Sequence, residues 1–187
     1  MQFPSSWGQC WSFKQWSSFR EWYDINSELD LTRIDIPSTV KNWSTKSWLR
    51  LFCAFMVDRN KYFSYPYLSF TTNFSDTGSH VKKSNSMFQV NLSLSQSRDY
   101  LNLRSFDSSE SIYDSYFELT EASVKHLCKQ LSSYSFDVDF YGSKNLDYLE
   151  KELILTTRKI RNIKPLMSFN RDLWPHELNV ILNNNAT

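Results

Sequence analysis

Glycine and histidine are what this chain most conspicuously lacks: it has three of each in 187 residues. Ordinary usage would supply about 13 glycines at this length. Loops that cradle phosphates depend on glycine, so the scarcity argues against a complete nucleotide-binding domain of the glycine-rich kinds. No P-loop, Rossmann fingerprint, G-x-S-x-G elbow or H-E-x-x-H pair occurs either. Cysteine is sparse as well. Cys10, Cys53 and Cys128 are odd in number and far apart, forming neither a metal quartet nor a disulfide framework, which favours a reducing compartment. Long apolar runs are missing: the longest, residues 51–57, is too short to span a bilayer, and the N-terminus lacks the basic and apolar regions of a signal peptide. A net charge of +1 offers no basic footprint for nucleic acid. The expectation is a soluble cytoplasmic chain, compatible with a place on the inner face of a membrane.

Aromatic residues are what the chain has in excess, 17% of the total with seven Trp, against an ordinary 41% hydrophobic and 22% charged content. Those values fit one globular domain with a real core. Residues 12–24 predict a helix with Trp16, Phe19 and Tyr23 on one face. Its start is ambiguous, because Ser12 with Gln15 and Ser18 with Glu21 both have capping-box spacing. A second helix is predicted from Ser44 or Thr45 to about Arg59, where Trp48, Leu51, Phe52, Phe55 and Met56 recur at helical spacing. Residues 62–72 read as a strand restricted to an edge by Pro66. Residues 75–115 are serine-rich, with a short strand expected near 88–94. A third helix follows Thr120, stapled by Leu119 and Val124 and buried through Val124, Leu127, Cys128 and Leu131. Residues 136–142 alternate as a strand ending at Gly142, a short helix is expected at 146–152, and 153–157 form a further strand. The last residues read as frayed.

Four places could carry chemistry. In residues 71–81, His80 stands two residues after Gly78, where a neutral imidazole could reach over a sheet edge to a divalent metal. Asp76 could ligate the same ion or a substrate hydroxyl. The plainer alternative is a turn with an exposed histidine. Trp7, Gly8 and Gln9 offer a flat indole, an approachable backbone and a bifunctional amide, groups suited to sugars; the alternative puts Trp7 and Trp11 in the core. Asp137 and Asp139 share a strand face and could share a cation, or could simply mark a solvated face. His126 falls opposite an apolar stripe, and His176 follows Pro175 at a helix start where Glu177 suits a capping role.

With these residues in view, the chain resembles the C-terminal part of bacterial family 2 glycosyltransferases of the GT-A fold, which build surface glycans. SSWGQCWSFKQWSSF (5–19) is similar to that family's tryptophan-glycine turn and the tryptophan-rich helix beside the acceptor site. WSTKSWLRLFCAFMVDRNKYFSYPYLSFTTN (43–73) resembles the helix and strand that follow. NFSDTGSHV (73–81) resembles an ending of the N-x-G-x-D-G-S-G-T-H type, whose histidine lies near the diphosphate and its metal. The resemblance covers residues 3–81 well and the YGSK, LTTRK and PHELNVI segments loosely. It implies an α/β fold, a mixed sheet with packed helices. Residues 1–81 would form an acceptor-side segment and 82–187 a C-terminal extension. The implied reaction transfers a sugar from a nucleotide-sugar donor to a glycan or lipid-linked acceptor, with Mn²⁺ or Mg²⁺ as cofactor. Trp7, Gly8, Gln9, Asn73 and Asp76 would hold substrate, and His80 would meet the metal or diphosphate. Two departures qualify this. The nucleotide-binding half would precede residue 3, and Thr45-Lys46-Ser47 stands before Trp48 where relatives carry an acid, so no general base is assigned. The chain alone is therefore expected to be inactive. The alternative is a non-catalytic carbohydrate- or protein-interaction module.

Overall fold

Ser12, not Ser18, opens the first helix. The computed structural model, which describes residues 1–6, 8–72, 74, 76–77, 83–84, 86, 89–94 and 104–185, shows the capping box closed in both directions. Ser12 Oγ accepts from the Gln15 amide at 3.3 Å, and the Ser12 amide donates to Gln15 Oε1 at 2.8 Å. Helix α1 then spans Phe13–Asn26. Its buried residues are Phe19 and Trp22, while Trp16 is 43% exposed and Tyr23 half-buried, so the inward face is rotated from the expected one. The reason is a long-range bond: Trp22 buries because its indole N–H finds Asp58 Oδ2 at 2.8 Å. Helix α2 is one turn, Ser38–Lys41, and α3 runs Trp48–Asp58. Every residue from 51 to 56 in α3 is buried, and Trp48, expected in the stripe, sits at its edge. Cys53 lies in that run, and burial pushes its thiol up to about 12.

Phe52 is the centre of this first core. Its ring lies 4.5 Å from Trp11, 4.9 Å from Phe19 and 5.6 Å from Phe63. Leu31, Ile36 and Val40 close the core from the segment around α2.

Residues 62–72 do not form the expected strand. The Phe63 amide donates to the Met1 carbonyl at 2.8 Å, and Tyr65 Oη donates to the Phe3 carbonyl at 2.8 Å. Beyond Pro66, which has no N–H to donate, the segment meets residues 90–93 through a single parallel bridge between Ser69 and Leu92 and through Thr72 Oγ1, which bonds the Val90 amide and carbonyl. Among the described residues no continuous strand ladders with the segment. The expected strand near 88–94 reduces to that same bridge, and Phe88 lies outside the described residues.

A second core forms around α4, Glu121–Leu127, capped by Thr120, whose hydroxyl faces the Ser123 amide at 3.5 Å. Leu119 and Val124 are both buried. The α-helix ends at Cys128, and a 3₁₀ turn, Lys129–Leu131, brings Leu131 into the same core. Strand β1, Phe136–Asp139, pairs in parallel with β2, Leu153–Thr156, setting Phe136 opposite Leu153 and Asp139 opposite Thr156. The connection between them supplies a 3₁₀ turn, Leu146–Tyr148, where a short helix was expected. Gly142, at φ +63°, turns the chain after β1. Helix α5, Glu177–Ile181, covers the core with Val180. Residues 183–185 are held, not frayed: the Asn170 amide donates to the Asn184 carbonyl at 2.8 Å, and Asn184 Nδ2 donates to Asp172 at 2.7 Å.

The arrangement is α/β in content, with a two-stranded parallel sheet in place of a mixed one. The two cores meet along residues 113–117. Tyr116 Oη donates to Asp35 Oδ1 at 2.7 Å, the Gln2 amide donates to the Tyr113 carbonyl at 2.9 Å, and the rings of Phe3 and Phe117 lie 4.6 Å apart. Among the described residues no helix is long and apolar enough to cross a membrane.

Candidate functional site

The tryptophan-glycine turn is built by packing. Gly8 has φ +66°, and a Cβ at this position would lie 2.9 Å from Thr71 Cγ2. Conformation and neighbour both demand glycine there. Gln9 is engaged within its own turn: Nε2 donates to the Ser5 carbonyl, and Oε1 accepts from Trp11 Nε1 at 2.8 Å. Both ends of the amide expected to read a sugar thus hold the loop shape. Gly8 does lie beside the end of the 62–72 segment, and Asp76 beyond it is exposed. Trp7, Asn73, Gly78 and His80 lie outside the described residues.

The paired aspartates do not share a site. Asp137 Oδ2 accepts from the amides of Glu150 and Lys151 at 2.9 and 2.8 Å, closing the loop before β2. Asp139 is fully buried, its Oδ2 held by Arg158 Nε at 2.6 Å and Thr156 Oγ1 at 3.1 Å, its Oδ1 by the Lys144 amide at 3.1 Å. Each carboxylate has a separate structural task. Among the described residues, no three His, Cys, Asp or Glu side chains converge as a metal-holding group.

Next to Asp139 lies a charge network that the sequence pattern does not announce. Lys144 Nζ sits 2.5 Å from Asp114 Oδ2 and 3.5 Å from Glu118 Oε2. Burial alone would lower the Lys144 ammonium, but Asp114 and Glu118 outweigh it and hold the group above its ordinary value. Glu118 is fully buried and accepts from the Phe140 amide at 2.9 Å and the Tyr141 amide at 3.3 Å. Burial pushes its carboxyl up to about 7 against the pull of Lys144. The two directions are compatible because the lysine's close partner is Asp114, which leaves Glu118 to bear the desolvation. Its hydrogen bonds and ion pairs tie residues 114–118 to the turn after β1.

The sheet edges are where the molecule is unequal. Carboxylates hold both ends of the outer edge of β1: Glu121 Oε1 takes the Phe136 amide at 3.2 Å, and Glu118 takes the Phe140 and Tyr141 amides just past Asp139. Burial would raise the Glu121 carboxyl, yet Lys125 at 2.7 Å and Lys151 together hold it down to about 2. The outer edge of β2 has nothing comparable. Among the described residues its backbone bonds only to β1.

A cleft of about 640 Å³ runs along that edge, between β2 and the chain segment that follows it. Residues 152–160 all line it in succession. Strand side chains alternate between faces, so consecutive lining means that the cleft meets the strand at its edge. Phe136, Phe140, Leu153, Leu155, Ile163 and Leu166 give apolar walls, and Lys159, Lys164 and Arg171 stand at the rim. His176 lines the cleft too, and its Nδ1 is a buried nitrogen without a hydrogen-bond partner among the described residues. Its ring packs 4.7 Å from Trp174. The neighbouring Glu177 carboxylate accepts from Tyr141 Oη at 3.0 Å in place of the expected cap, and burial with that carboxylate pushes the phenol up to about 12.

The sequence singles out His176 and the LTTRK and PHELNVI segments but does not announce the cleft that they border. One signal was present: residues 157–171 carry Arg158, Lys159, Arg161, Lys164 and Arg171 and no Asp or Glu. Comparison with protein-family models, with curated proteins and with solved structures gave no match to this chain.

Proposed function

We propose that this chain is a non-catalytic protein-interaction module that binds through the cleft along the outer edge of β2. The observation that carries the reading is a strand edge, unpaired among the described residues, that opens into a cleft of about 640 Å³, a volume in the range of real binding sites. The cleft combines apolar walls with a basic rim, and the segment above it exposes Ile163 and Leu166 at 65% and 73%. Large exposed apolar side chains grouped together are characteristic of contact surfaces.

A second reading, the acceptor-side part of a sugar transferase, is favoured by one feature: Gly8 packs on Thr71, so the tryptophan-glycine turn and the stretch leading to Asp76 are neighbours. In that reading Trp7, Gly8, Gln9, Asn73 and Asp76 would border an acceptor, and His80 would serve metal or diphosphate in a larger enzyme. Against it stands the engagement of the Gln9 amide inside its own loop. Calorimetric titration with a panel of soluble oligosaccharides, and with UDP plus Mn²⁺, separates the two. The interaction module should give no saturable heat with either. Saturable oligosaccharide binding that disappears in Asp76→Ala would establish the transferase reading instead.

A further inference from the structure

The two edges of the sheet differ in a way that specifies a partner. On β1 the Phe136 amide is taken by Glu121, and just past the strand the Phe140 and Tyr141 amides are taken by Glu118. On β2, the outward amides and carbonyls have no partner among the described residues, and the cleft lies against them. A strand edge left open beside an apolar cleft is the geometry in which an extended peptide adds as a further strand. Its backbone then satisfies the edge, and alternate side chains enter the apolar walls.

The charge around the cleft chooses the peptide. Arg158 is already paired with Asp139 at 2.6 Å, but the lining cations Lys159, Lys164 and Arg171 form no ion pair among the described residues. Only one acid, Glu152, lines the cleft. Three uncompensated cations around an apolar trough favour a ligand whose inward residues are apolar and whose outward residues are acidic. We infer that the edge of β2 takes an extended peptide of alternating acidic and apolar residues from a partner protein, as an added strand. The inference rests on the interaction-module reading and specifies its ligand.

The test uses the full chain, isotope-labelled for amide detection. The probes are the capped peptide Glu-Ile-Glu-Val-Glu-Ile-Glu, its lysine counterpart with every Glu replaced by Lys, and two versions of the acidic peptide N-methylated on one or the other alternate set of backbone nitrogens. The acidic peptide should perturb amides 153–171, and it should slow hydrogen exchange at alternate β2 amides. It should bind about tenfold or more tightly than the lysine peptide. One N-methylated version should lose binding and the other keep it, because an added strand pairs along one edge only. The double variant Lys159→Glu, Lys164→Glu changes exposed rim residues and leaves the core alone, and it should reverse the preference between the two charged peptides. If the lysine peptide occupies the cleft equally well, or if both N-methylated versions bind unchanged, the acidic strand-addition inference falls while the interaction module stands. If neither peptide perturbs the cleft, the inference falls as well. Sodium laurate displacing the peptide from the cleft stoichiometrically would identify an amphiphile site. Edge protection that grows with protein concentration alone would identify a second copy as the occupant. Either result overturns the proposal. Should oligosaccharide instead bind at Gly8 and Asp76, the interaction reading itself fails.

Discussion

Phe52→Ala is expected to lower the folding free energy by about 3–5 kcal/mol, the range for emptying a well-packed aromatic site. That would remove a large share of the roughly 5–15 kcal/mol that an ordinary domain has in total. Phe52 is 1% exposed and packs against Trp11, Phe19, Trp48, Phe55 and Phe63, with ring separations from 4.5 to 5.9 Å. Those neighbours come from the N-terminal turn, from α1, from α3 itself and from the 62–72 segment. None can swing into the void without giving up contacts of its own, so the cavity persists. Urea denaturation of the variant checks the magnitude, with Ile25→Ala as a control. Ile25 is on α1 but 82% exposed, so its truncation should change stability by no more than about 0.5 kcal/mol. A Phe52→Ala loss below about 1 kcal/mol would show that the first core is not packed as described.

Lys144→Met should be nearly as damaging at neutral pH and much less so in mild acid. The lysine is 8% exposed and is the cation that Asp114 and Glu118 share. Removing one partner from a buried charge cluster typically costs about 3–5 kcal/mol, since the remaining charges are left desolvated and unpaired. The pH dependence follows from Glu118. Its ordinary value is 4.5 and burial raises it to about 7 in the fold. The folded chain therefore holds this proton more tightly than the unfolded chain does. Stability from protonated Glu118 is complete below 4.5 and is lost as pH rises through about 7. The Lys144 ammonium lowers the cost of ionising Glu118, so without it the raising must be larger and the variant's loss of stability with rising pH steeper. Denaturation at pH 5 and pH 8 measures this directly, and adding Glu118→Gln to the variant should flatten the slope. Equal destabilisation at both pH values would mean that Glu118 does not feel Lys144. Glu121 works in the opposite sense. Held down to about 2, it stabilises above its ordinary 4.5, and that stability is lost as pH falls toward 2.

Local features were legible in the sequence where the physics is local. The Ser12–Gln15 capping box, the Thr120 cap with its Leu119–Val124 staple, the α3 stripe, the turn at Gly142 and the strand at 136–139 all depend on residues a few positions apart. The buried Cys53 and Cys128 follow from the same periodicities. What could not be read depends on distant partners. Trp22 is buried because Asp58 receives its N–H, a bond spanning 36 positions. Residues 62–72 have strand-like composition, but among the described residues no continuous neighbour comes alongside them. The Asp137–Asp139 pair has ligand-like spacing, and its real partners, Arg158 and the amides of Glu150 and Lys151, become visible only once β2 is placed. The candidate cleft exists for the same reason. It requires β2 to lie parallel to β1 and the basic segment to fold back over it, and neither arrangement leaves a periodic trace.

Amide hydrogen exchange on the free chain tests the central claim, that β2 presents an open edge while glutamates hold the amides at both ends of the β1 edge. The amides of Phe136, Phe140 and Tyr141, held by Glu121 and Glu118, should be protected. Within residues 153–156, the amides bonded to β1 should be protected, and the alternating outward ones should exchange at rates close to those of an unfolded peptide. Uniform protection along β2 would mean that its edge is already occupied, and the account of the cleft as a binding site would be wrong.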